Sequence, residues 1–127
     1  FMHAPVFDPN TLDALIGRAV SDLSAVHGGV MVSIGFKLGL YKVMAGAGPL
    51  TSAEVATRAG CAERYVREWL NSQVAGGYVN YHAISGTYEM SPEQTLVMAD
   101  PESPAYMTPA WQVTASMWRD EAKTLQA

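Results

Sequence analysis

The sequence predicts a mainly α-helical fold with a small β-hairpin: a winged helix-turn-helix with extra helices at both ends. Three observations carry this prediction. Thr51-Ser52-Ala53-Glu54 is a capping-box pattern that opens a short helix with Val55, Ala56 and Ala59 facing inward. After a turn at Gly60, Ala62–Val74 places Tyr65, Val66, Trp69, Leu70 and Val74 on one stripe of a second helix. Gly76-Gly77 then ends that helix, and Tyr78–His82 and Thr87–Met90 read as strands around a Ser85-Gly86 turn. Residues 50–90 are therefore the helix-turn-helix and its wing. A hairpin this small needs the helices as support.

The flanking elements follow from the same rules. Asp8-Pro9-Asn10 opens a first helix, with Asn10 or Thr11 as the expected cap and Asp13 favourable to its dipole. Leu12, Leu15, Ile16, Ala19, Val20 and Leu23 have helical spacing, and Gly28-Gly29 is expected to interrupt the run. Val30–Met44 is apolar on nearly all sides, so it is expected to form the buried centre of the core. Gly46-Ala47-Gly48-Pro49 stops it. Ser91-Pro92-Glu93 starts a helix that runs to about Met98. A long terminal helix is expected over 104–127, starting near Ala105. Its two apolar stripes, Trp111/Ala115/Trp118/Ala122/Leu125 and Tyr106/Ala110/Val113/Met117, lie on nearly opposite sides and call for two packing partners.

Composition narrows the function. The 127 residues suit one domain, with residues 1–10 a terminal extension. Charged residues are 16% against 49% hydrophobic, below the ~25% charged of average soluble domains, which suggests apolar surface reserved for a partner. A net charge of −4 disfavours general nucleic-acid or anionic-membrane binding. On Ala62–Val74 the outward face is Glu63, Arg64, Arg67, Glu68, Asn71 and Ser72, two acids against two bases, too neutral for a row of phosphates. The apolar run near Gly28–Leu40 is shorter than the ~20 residues of a membrane span. The lone Cys61 fits a reducing cytoplasm.

No catalytic constellation emerges. His3, His27 and His82 lack metal-ligand spacing, and Ser33-Ile34-Gly35 is not a nucleophile elbow. Glu63 and Glu68 read as the polar face of a helix. Gly46-Ala47-Gly48 follows a helical segment and precedes Pro49, which argues for a helix stop and against a nucleotide loop. No catalytic, cofactor-binding or metal residue is expected. Tyr106, Met107, Trp111 and Trp118 are the candidates for facing a substrate or an interface, while Trp69 belongs to the core.

Several motifs together carry a resemblance. Leu38-Gly39-Leu40-Tyr41, Gly48-Pro49-Leu50-Thr51, Glu63–Leu70, Ala75–Val79 and Pro92-Glu93-Gln94 resemble the N-terminal winged-helix domain of bacterial class I S-adenosylmethionine-dependent methyltransferases, over roughly 28–120. The resemblance implies a homodimerisation and substrate-enclosing domain, followed by a catalytic domain that binds S-adenosylmethionine and acts on a small molecule. The uncapped pattern at Leu125-Gln126-Ala127 is expected to continue into that domain, so no cofactor is expected to bind these residues. The alternative is a winged-helix DNA-binding transcriptional regulator reading DNA with Ala62–Val74; a third reading is an adaptor that binds protein through its terminal helix.

Overall fold

The computed structural model describes residues 6–127, so the expectation for His3 lies outside it. In chain order the elements are α1 (Pro9–Lys37), α2 (Leu40–Met44), α3 (Ser52–Ala59), α4 (Glu63–Gly76), β1 (Asn80–His82), β2 (Thr87–Glu89), α5 (Pro92–Met98), α6 (Ala110–Arg119) and α7 (Glu121–Leu125).

The first helix corrects two expectations. Its cap is Asp8, whose carboxylate accepts from the Asn10 amide at 3.2 Å and the Thr11 hydroxyl at 2.7 Å. Gly28-Gly29 does not interrupt it; α1 runs on for 29 residues. Two helical glycines cost about 1 kcal/mol each, but tertiary packing offsets this: a Cβ on Gly29 would sit 3.1 Å from the Trp111 ring. The break comes at Gly39, which adopts φ 70°. As one continuous helix, α1 is long and apolar enough to cross a membrane by length and composition, which the shorter run near Gly28–Leu40 is not.

Nor is Val30–Met44 buried all round. Among its residues Val32, Gly35, Leu40, Tyr41 and Met44 are buried, whereas Val30, Ile34 and Leu38 are exposed. The core forms where the end of α1 and α2 meet α3 and α4. Trp69 lies edge-on to Tyr41, ring centroids 5.0 Å apart, and its indole N–H donates to the Met31 carbonyl at 2.8 Å. Gly35 permits this approach, because a Cβ there would fall 2.3 Å from the Trp69 ring. On α4, Val66, Trp69 and Leu70 are buried as expected. Tyr65 is not; it stands 70% exposed at the margin of the stripe. Gln73 is buried instead, and its side-chain oxygen accepts a hydrogen bond from the Tyr41 hydroxyl.

The wing is an antiparallel pair with Tyr81 opposite Tyr88, and Leu50 exchanges both backbone hydrogen bonds with Tyr88. The Tyr88 hydroxyl donates to Asn71 at 2.6 Å and so ties the wing to α4. Ser91 and Gln94 complete a capping box at α5.

The terminal helix is shorter than expected. Residues 99–109 form a loop, held by the Met107 amide on the Val97 carbonyl and by buried Thr108, whose hydroxyl donates to the Met98 carbonyl. Pro104 and Pro109 disfavour helical backbone before them, which delays the helix start to Ala110. Asp120 then divides α6 from α7.

Candidate interface site

Two surfaces compete for function. The first is the outward face of α4, where a DNA reader needs positive potential. Arg67 pairs with Glu63 at 3.6 Å and Arg64 with Glu68 at 3.7 Å, each one turn apart, so both bases are matched by acids. Glu63 also accepts the Ser52 hydroxyl at 2.7 Å, and Asn71 is occupied by Tyr88. The sequence has no lysine or arginine between Arg67 and Arg119, so the wing offers a phosphate no cation beyond His82. His82 itself stands 2.7 Å from Glu89.

The second surface is apolar. The last turns of α1 pack against α6 around the Gly29–Trp111 contact, and Gln112 donates to Ser33 across the junction at 2.9 Å. Beside this junction lies a groove of about 470 Å³ walled by Val26, Val30, Ile34, Trp111 and Trp118, with Lys37 at the last turn of α1. Trp111 is half-buried and edge-on to Tyr78 at 6.1 Å, while Trp118 is 61% exposed. The structure therefore brings together two of the four residues predicted to face a substrate or interface. Tyr106 instead lies half-buried in a shallow recess with Phe36 and Tyr41, and Met107 is exposed in the 99–109 loop.

Within α6 the two stripes separate, Trp111 and Trp118 facing the groove and Val113 and Met117 facing outward. Tyr106 precedes the helix and Leu125 is exposed on α7, so neither stripe keeps its full expected length. The larger feature went unforeseen. Leu12, Leu15, Ile16, Val20, Leu23 and Val26 on α1 are all exposed, and the groove is the inner end of that apolar track. Its signal was present in the helical spacing of these residues; what the spacing lacked was any indication that the intrachain core would leave them uncovered.

Chemistry within the described residues is sparse. No three His, Cys, Asp or Glu side chains come together to hold a metal ion. Gly46 and Gly48, at φ 66° and 73°, turn the chain between α2 and α3, and a helix, not a strand, precedes them. Burial raises the Tyr41 phenol well above its usual range, with the nearby Tyr78 adding to the effect. Tyr41 is hydrogen-bonded within the core and is structural.

Helix-turn-helix, hairpin and flanking helices define a winged-helix domain whose DNA-facing surface is neutral. The chain belongs to the family described as the Rv2258c-like winged HTH domain, which it matches over residues 26–100. No curated protein sequence matches it significantly. Solved structures share the fold. Human N-acetylserotonin methyltransferase in complex with SAM matches with TM-score 0.68 and 18% identity, covering 98% of this chain and 36% of that one. PigF with SAH matches with TM-score 0.71 and 15% identity, over 87% and 33%. The mitomycin 7-O-methyltransferase MmcR matches with TM-score 0.62 and 18% identity, over 87% and 35%. The chain thus spans about a third of the length of these structures. Family and fold agree with the resemblance to the winged-helix domain of S-adenosylmethionine-dependent methyltransferases.

Proposed function

We propose that this chain is the dimerisation and substrate-enclosing domain of a cytoplasmic S-adenosylmethionine-dependent methyltransferase acting on a small molecule, with catalysis in a separate domain. The observation that carries the reading is the uncovered apolar track on α1 beside a neutral α4 face. A domain built this way holds proteins together and has little grip on a phosphate backbone. Trp111 and Trp118 belong to the gripping surface. Tyr106 and Met107, on and beside the loop that leads into α6, are the pair left to close over a substrate bound elsewhere in the enzyme.

The fold matches to methyltransferases support the chemical part of the proposal. The test is the coding sequence beyond Ala127 together with activity. A strand, a Gly-x-Gly loop and methyl transfer from S-adenosylmethionine to a small acceptor by the longer protein are expected. Duplex DNA binding by the 127-residue chain that weakens steeply with salt would overturn the proposal in favour of a regulator.

A further inference from the structure

Every residue of α1 from Pro9 to Gly28 is exposed. A contiguous apolar face on an exposed helix marks a surface that something covers, since most helical stability in proteins comes from packing of such a face. The pattern of its apolar residues says what. Leu12, Ile16, Ala19, Leu23, Val26 and Val30 are separated alternately by four and three residues, the spacing of a coiled-coil seam.

We propose that α1 pairs antiparallel with α1 of a second copy, the two-fold axis passing level with Ser21. This rests on the dimerisation reading above and adds its partner segment and register. A two-fold contact must be its own complement, and this helix is. In that register Ile16 meets the partner's Val26, Ala19 meets the partner's Leu23, and Leu12 meets the partner's Val30. Along one edge of the seam Asp13 faces the partner's His27, and Val20 faces the partner's Val20. Along the other edge the two Asp22 carboxylates approach near the axis, and an Arg18 from each chain stands one turn away to balance them. Among the described residues neither Arg18 nor Asp22 has an ion-pair partner within its own chain. The same register sets the partner's Leu12 beside Val30 and the partner's Leu15 beside Gly29, so both leucines fill the groove next to Trp111.

A lipid bilayer is the competing cover, since α1 meets the length and composition of a span. Asp13, Arg18 and Asp22 lie along the same helix; a stretch of it apolar enough to span holds at most two of them, and any charge at bilayer depth is costly. Charge and heptad spacing both favour a second copy.

Cysteine pairing tests the register. In a Cys61→Ser background, Ala19→Cys and Leu23→Cys are made as separate proteins, then oxidised alone and mixed. Disulfide geometry tolerates Cα separations up to ~7 Å. Residues 19 and 23 of opposite chains lie level, whereas 19 against 19, or 23 against 23, are offset by about 6 Å along the axis. The mixture should therefore give about tenfold more cross-linked dimer than either variant alone. A dimer by sedimentation whose cross-links prefer 19–19 or 23–23, or do not form, would overturn the register and leave the dimerisation reading standing. A monomer would overturn both. A monomer that floats with phosphatidylcholine vesicles would overturn both as well, and would assign α1 to the bilayer.

Discussion

Replacing Gly35 by alanine should damage this domain, although alanine is the better helix former. The added Cβ would lie 2.3 Å from Cζ2, 2.7 Å from Cε2 and 2.9 Å from Nε1 of Trp69. Ordinary carbon contacts need about 3.5 Å, so the indole must retreat by roughly 1 Å. It cannot retreat freely, because Tyr41 packs edge-on against it and its N–H is fixed on the Met31 carbonyl. Overpacking of this kind costs about 1–3 kcal/mol. Loss of the indole hydrogen bond adds about 1 kcal/mol. Against this, the alanine propensity returns about 1 kcal/mol. The net expectation is about 2 kcal/mol of destabilisation, read as a lower urea midpoint by tryptophan fluorescence. Gly28→Ala is the internal control: it lies on the same helix with no atom within 4 Å of the added Cβ. It should stabilise by about 0.5–1 kcal/mol. Equal midpoints for the two variants would refute the account of why α1 approaches α4 so closely.

Four further outcomes follow from other contacts. Tyr41→Phe leaves the Gln73 carbonyl oxygen buried without its donor and should cost about 1–3 kcal/mol in urea unfolding at neutral pH. The Tyr41 phenol is raised in the fold from its usual 10.0, chiefly by burial, so its contribution is fully present below pH 10 and is lost as pH rises above it. The wild-type urea midpoint should therefore fall more steeply than that of Tyr41→Phe only as pH rises above about 10. Ser91→Ala removes the hydroxyl that caps α5 and should lower stability by about 1 kcal/mol in the same assay. Glu63→Lys with Glu68→Lys frees Arg64 and Arg67 from their acids; if phosphate repulsion is what silences α4, this double variant should gain salt-sensitive duplex binding that the wild type lacks.

Much of the fold was legible because its local signals are backbone chemistry. Thr51, Gly60, Ser91 and Gly77 mark element ends through caps and left-handed turns, and each does so in the structure. The failures occurred where tertiary contacts overrode a local rule. Gly28-Gly29 reads as a breaker until Trp111 is placed against Gly29. Ala105–Pro109 reads as helix until Thr108 and Met107 are seen bonded to the end of α5. Gln73 falls on neither face predicted for the second helix, and only the Tyr41 hydroxyl explains its burial. The candidate site is half legible in the sequence: Trp111 and Trp118 stand out by their stripe, but the α1 track beside them shows only helical spacing, with nothing to say that it is left uncovered. Periodicity reports that a face is apolar, and does not report which chain covers it.

That uncovered face is what the whole account depends on, and the solution mass of the chain tests it most directly. Sedimentation equilibrium at micromolar concentration should return twice the 13.7 kDa of one chain, and Leu23→Asp on the exposed track should return that mass to a single chain without loss of helical content in the folded body. A wild-type monomer across that range, or a dimer indifferent to the aspartate, would contradict it.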